Sequence, residues 1–125
     1  MDNFHVLLVD DEEELVLTLI ERLAYRGITA DYATSGDKAI EKFGNSSYDI
    51  VVIDLKLPGM SGEELLRYVK KSHPHLPVLM ITGHGSGHDG TFSKPDGVYD
   101  LLPKPIDISE LIKIMRKAID AKQRQ

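Results

Sequence analysis

IVVIDLKLPGMSGEELL, Ile50 to Leu66, sets a buried strand ahead of a capped helix. With Asp49, its first part reads DIVVID, an unbroken apolar run closed by carboxylates. That is the pattern of a strand buried on both faces. Ser61 stands three residues ahead of Glu64, an S-x-x-E capping box that opens a helix. Leu65, Leu66 and Val69 then fall on one helical face. A strand apolar on both sides has to be covered on both sides. A following amphipathic helix is the usual cover, and the pair is the unit of a parallel sheet.

The same alternation extends outward from this segment. Upstream, HVLLVD (His5 to Asp10) reads as a buried strand. Glu12 to Arg26 reads as a helix, with Leu15, Val16, Leu19, Ile20 and Leu23 at helical spacing and Gly27 as its stop. Ile28 to Ala33 reads as a strand, and Gly36 to Phe43 as a helix with Ala39, Ile40 and Phe43 inward. Downstream, PVLMIT (Pro77 to Thr82) is a fourth strand and Tyr99 to Leu102 a short fifth. Asp107 with Glu110 opens a last helix carrying Ile108, Leu111, Ile112, Met115 and Ile119. With right-handed crossovers this predicts an α/β fold, a doubly wound five-stranded parallel sheet with helices on both faces. A fourth helix is due between the fourth and fifth strands. Instead the chain reads HGSGHDGTFSKPDG, His84 to Gly97. Gly85, Gly87, Gly90 and Pro95 oppose a helix there, by about 1 kcal/mol per interior Gly and about 3 for Pro. The expectation is a degenerate helix, a loop with at most one short turn. His84 and His88 read as polar loop residues in preference to metal ligands.

Composition sets the outer bounds. The 125 residues fit one domain, 1–125. At 42% apolar, with no Trp and 6% aromatics, the chain supports a core that is mostly aliphatic. A net charge of -5 suits divalent cations or basic partners and argues against direct nucleic-acid binding. Absent cysteine excludes disulfides and thiolate metal sites. No apolar run reaches membrane-span length, and MDNFHVLLVDDEEE lacks signal-peptide character. A cytoplasmic domain without membrane contact is expected.

Ligands of such a sheet bind beyond the carboxyl ends of its strands. Asp10-Asp11 ends the first strand, Asp54 the third and Thr82-Gly83 the fourth, and Lys104-Pro105 follows the fifth. Clustered carboxylates repel unless a proton or cation joins them. Oxygen-only ligands suit a hard ion such as Mg²⁺. A carboxylate can attack phosphorus to give an acyl phosphate, with Mg²⁺ and a lysine offsetting the phosphoryl charge. Each residue taken alone also has a blander reading. Asp10 or Asp11 could be an N-cap, Thr82 a turn hydroxyl and Lys104 a solvated lysine. Glu12-Glu13-Glu14 reads as a first helical turn favoured by the macrodipole. The joint occurrence at four strand ends is what the bland readings handle poorly.

VLLVDDE, IVVIDLKLPGMSGEELL, VLMITGHG and YDLLPKPI together resemble the receiver domain of two-component response regulators, over nearly the whole chain. The resemblance implies a flavodoxin-like receiver fold with Asp54 as phosphoacceptor. It implies Asp11 as a direct Mg²⁺ ligand, Asp10 assisting through water, and the Lys56 carbonyl as a further ligand. Thr82 would be the switch hydroxyl, Lys104 the partner of a phosphoryl oxygen, and Lys104-Pro105 a cis peptide bond. A sensor histidine kinase or histidine phosphotransfer protein would be the donor. In that role the domain is not an enzyme in the usual sense, since it only accepts and slowly hydrolyses the group.

Two features depart from the pattern. Leu101 stands where the family often has Tyr or Phe, with Tyr99 one strand repeat earlier on the same face. The Gly-rich 84–97 segment replaces a helix often used in signalling, which suggests a loop that orders on phosphorylation. Three other functions share parts of this pattern. A haloacid-dehalogenase-type phosphatase needs an Asp two residues after the nucleophile, where Lys56 stands. A flavodoxin-like flavin carrier needs a phosphate loop, where DDEEE would repel phosphate. A phosphorylation-independent pseudo-receiver keeps some support from the unusual fourth segment.

Overall fold

The computed structural model describes residues 4–83 and 94–123. Among them are five strands and four helices. In chain order these are β1 (His5–Val9), α1 (Glu13–Tyr25), β2 (Thr29–Ala33), α2 (Gly36–Asn45), β3 (Ile50–Asp54), α3 (Gly62–Ser72), β4 (Val78–Thr82), β5 (Asp100–Pro103) and α4 (Ile108–Gln123). All pairings are parallel, in the order β2-β1-β3-β4-β5.

Strand periodicity divides the core into two layers. Val6 and Leu8, Ile50 and Val52, Leu79 and Ile81 face one way, onto Val16, Leu19 and Leu23 of α1 and Leu111 and Met115 of α4. Leu7 and Val9, Val51 and Ile53, Val78 and Met80 face the other way, onto Ala39 of α2 and Leu65, Leu66 and Val69 of α3. Every residue of β3 and β4 is buried, as their continuous apolar runs require. The edge strand β2, TADYA, is only partly covered and carries the polar residues.

Local signals account for the helix starts. The Ser61 side chain accepts from Glu64 N–H (3.1 Å) and Glu64 returns the bond to Ser61 N–H (2.9 Å), so the capping box is formed. Asp107 accepts from Glu110 N–H (3.0 Å) at the start of α4. Ser35, which periodicity alone does not reveal, caps α2 through Lys38 N–H. Gly27 follows the end of α1 at φ 78°, a left-handed conformation that glycine takes without a Cβ penalty. Boundaries move by one or two residues from expectation: β5 starts at Asp100, after Tyr99, and α2 runs on to Asn45. The expected loop spans 84–97, of which residues 84–93, with both histidines, lie outside the described residues. Its described end, Lys94 to Gly97, enters a turn closed by Val98 N–H donating to Pro95 O (3.2 Å).

At the opposite end of the sheet from the carboxyl edge, Tyr48 donates to Asp31 (2.8 Å) and His5 Nε2 lies 3.2 Å from the same carboxylate oxygen. Among the described residues no helix is long and apolar enough to cross a membrane.

Candidate functional site

The chain leaves β1 toward β2 on one side, then returns over the sheet to form β3 on the other. The carboxyl ends of β1 and β3 therefore flank the point where strand order reverses, the place where open α/β sheets form a crevice. Asp10 follows β1 and Asp54 ends β3, one on each side of it. Three ladder bonds run past the strand ends and fix the backbone there. Asp10 N–H donates to Ala33 O (3.1 Å), Leu55 N–H to Ile81 O (2.9 Å) and Lys104 N–H to Thr82 O (2.9 Å). The third places Lys104 over the crevice from the β5 side. The Lys104-Pro105 peptide bond is cis.

The Lys104 ammonium lies 3.1 Å from Asp54 Oδ2 and 3.2 Å from Asp10 Oδ2, and it also bonds Glu12 Oε1. Carboxylate oxygens of Asp10, Glu12 and Asp54 lie within 4.8 Å of one another. Asp10 and Asp54 are buried; Glu12 is exposed. The second oxygen of each buried carboxylate is held by the chain just after it: Glu12 N–H donates to Asp10 Oδ1 (2.9 Å) and Lys56 N–H to Asp54 Oδ1 (3.1 Å). Asp10 Oδ2 is buried and receives no well-directed hydrogen bond, despite its ion-pair distance to Lys104.

These contacts set the protonation balance. Burial raises the Asp10 pKa and the nearby Asp54 charge adds to this; the Glu12 N–H and Lys104 oppose it without cancelling it. Burial alone pulls the Lys104 ammonium down, but the carboxylates of Glu12, Asp54 and Asp10 outweigh it and hold the pKa above the usual lysine value. Three ionised carboxylates and one ammonium leave two negative charges unmatched. In a half-buried crevice that excess favours a divalent cation or proton uptake.

Asp10, Asp54 and Lys104 thus meet as the sequence reading requires. Thr82 ends β4 beside them and is buried, its carbonyl held by Lys104. Lys56 contributes its N–H to Asp54 while the residue itself is exposed. Asp11 is exposed and stands outside the carboxylate cluster. Glu12 is the residue the sequence reading missed. The run Glu12-Glu13-Glu14 reads as a first helical turn, but α1 starts at Glu13 and Glu12 occupies the cap position without any side-chain cap bond. Leu101 pairs with Met80 in register and packs into the α2–α3 side of the core. Tyr99 precedes the strand and is 39% exposed, two residues farther from the carboxyl edge than Leu101.

Residues 6–116 match the response regulator receiver domain family. The chain belongs to that family. Over 120 residues this receiver domain is 33% identical to the DNA-binding transcriptional regulator NtrC of Escherichia coli, covering 96% of this chain and 26% of that relative. The chain thus spans about a quarter of the length of this curated relative. A response regulator receiver domain protein from Clostridium thermocellum superposes with a TM-score of 0.86 at 30% identity, over 96% of this chain and 97% of that one. The receiver domain of NtrX from Brucella abortus superposes with a TM-score of 0.82 at 32% identity, over 92% and 98%. These likenesses make the chain a receiver domain of the two-component kind, with the doubly wound fold expected from its sequence.

Proposed function

We propose that this receiver domain accepts a phosphoryl group on Asp54 from a phosphohistidine of a sensor kinase or phosphotransfer protein. The observation that carries the proposal is the meeting of Asp54, Asp10 and Lys104 at the switch point, with Lys104 Nζ 3.1 Å from Asp54 Oδ2. In the transfer an Asp54 oxygen attacks phosphorus. The O–P bond forms and the N–P bond of the donor breaks. The donor's imidazole ring, protonated at its other nitrogen, leaves with the electron pair as neutral imidazole, and the acyl phosphate keeps the two negative charges of the phosphoryl group. Lys104 neutralises charge on the phosphoryl oxygens from the β5 side, and Thr82 offers its hydroxyl from β4.

The donor set fits Mg²⁺: it is all oxygen, it carries excess negative charge, and the buried Asp10 Oδ2 lacks a hydrogen-bond donor. Asp10, Asp54 and the Lys56 carbonyl would hold the ion, with Asp11 joining them from outside the carboxylate cluster. When bound, Mg²⁺ offsets the charge of the transferring phosphoryl group. In this reading the chain's own chemistry stops at acceptance and slow hydrolysis, and the domain works in the cytoplasm as a switch for an output partner.

The test is incubation with Mg²⁺ and acetyl phosphate, followed by intact mass. A single phosphoryl adduct is expected, stable in acid, labile in base and missing from Asp54→Asn. Absence of the adduct, or its persistence in Asp54→Asn, overturns the proposal.

A further inference from the structure

We infer that Glu12 is a displaceable partner of Lys104. In the unphosphorylated domain it holds the position on the ammonium that a phosphoryl oxygen takes after transfer. This deepens the phosphoacceptor reading and rests on it.

A lysine ammonium has three N–H donors. Three carboxylates, Asp10, Asp54 and Glu12, surround the one on Lys104. Two of these donors are committed, to Glu12 and Asp54, and the third faces Asp10 Oδ2 at ion-pair distance without a well-directed bond, so a phosphoryl oxygen on Asp54 gains full contact with Lys104 when one carboxylate lets go. The three are not equally held. The side chains of Asp10 and Asp54 are 3% and 5% exposed, sit at strand ends fixed by the sheet ladder, and each accepts a second bond from backbone N–H. Glu12 is 59% exposed on a longer side chain. Solvent screens an exposed ion pair and can replace it at small cost, so Glu12 is the partner that leaves.

Helix formation does not require Glu12 to be acidic. Glu13 and Glu14 supply the acidic first turn of α1, and the Glu12 side chain makes no cap bond. Instead it reaches residue 104, 92 positions along the chain. Its charge also repels an incoming dianionic donor. Glu12 is thus a positioning residue. It keeps Lys104 over the crevice while Asp54 is free, and it slows phosphorylation by the cost of its own displacement.

The test compares the unaltered chain with Glu12→Gln and Glu12→Ala, exposed-site changes that leave the core untouched. With Mg²⁺ and acetyl phosphate, the initial rate of adduct formation should rise about 1.5- to fivefold in both variants. Nitrogen NMR of the Lys104 ammonium gives a second readout. Its resonance should differ between unaltered chain and Glu12→Gln in the free proteins. It should coincide once beryllium fluoride with Mg²⁺ stands in for the phosphoryl group. Unchanged rates, or resonances still different in the beryllium fluoride state, overturn the displacement. No adduct on the unaltered chain overturns the phosphoacceptor reading itself, whereas an adduct formed at equal rates in all three proteins sinks only the role of Glu12.

Discussion

Replacing Gly62 by Ala should destabilise the domain, although alanine is the better helix former. Gly62 is the first residue of α3 and is buried against the end of β3. A Cβ there would lie 2.5 Å from Asp54 O, 2.9 Å from Leu55 Cα and 2.9 Å from Leu55 O. All three are backbone atoms, so no rotamer change relieves the contact. Real Cβ atoms essentially never approach below 3.0 Å, so helix and strand must part by at least 0.5 Å. Both sides resist. Gly62 N–H donates to Leu55 O (3.2 Å), while Leu55 N–H is tied to Ile81 O (2.9 Å). Overpacking of this kind costs about 1–3 kcal/mol. The helix-propensity gain, up to about 1 kcal/mol in a helix interior, is smaller in a first turn. A net loss of about 1–2 kcal/mol follows, or a fall of roughly 1 M in urea midpoint for a slope of about 1–2 kcal/mol/M. Gly44→Ala is the matched control. It makes the same chemical change inside α2, where the new methyl meets nothing within 4 Å, and should gain a few tenths to about 1 kcal/mol. Urea unfolding followed by far-UV circular dichroism reads both. Stabilisation by Gly62→Ala, equal to that of Gly44→Ala, would refute the close approach of α3 to β3.

Two further expectations concern buried Asp10 and half-buried Tyr48. Asp10→Asn should stabilise the domain near neutral pH by about 1 kcal/mol. Burial raises the Asp10 pKa, so its contribution is most favourable below the unfolded value of 3.8 and is lost as pH rises through the folded one. The advantage of Asn should therefore shrink in urea titrations as pH falls toward 4, and an equal effect at both pH values would count against a raised Asp10. Tyr48→Phe should cost about 1 kcal/mol through the lost bond to Asp31. Burial, then the Asp31 bond, push the Tyr48 pKa up from 10.0 to about 12, so this tyrosine favours the fold below pH 10.0 and loses that effect as pH rises toward 12. Spectrophotometric titration of the variant should lack the latest-ionising tyrosine, and an unchanged alkaline limb would speak against the assignment.

The parts of this receiver that depend on short-range chemistry were legible in the sequence. DIVVID and PVLMIT are apolar throughout because β3 and β4 are covered on both faces. The Ser61–Glu64 box forms because both bonds are made within one turn. Asp10, Asp54 and Lys104 could be located because strand ends of a parallel sheet share one edge. Glu12 escaped because helix-dipole preference explains three consecutive glutamates equally well, and nothing local separates the one that reaches across to Lys104. The link from Tyr48 to Asp31 escaped for the same reason, since it joins two loosely patterned segments through tertiary contact alone. At Leu101 the family's usual aromatic gives way to an aliphatic side chain that joins the core layer of α2 and α3. Periodicity foretold the face but not this packing. The reading of His84 to Ser93 as a loop lies outside the described residues.

Chemical trapping decides whether Asp54 carries the phosphoryl group. Borohydride reduces an acyl phosphate to an alcohol, so a phosphorylated aspartate becomes homoserine, which peptide sequencing by mass spectrometry locates. After treatment with acetyl phosphate and Mg²⁺, homoserine should appear at position 54 and only when the phosphodonor was present. Homoserine at position 10 or 11, or an Asp54 that emerges unreduced from a phosphorylated sample, would show that Asp54 is not the phosphoacceptor.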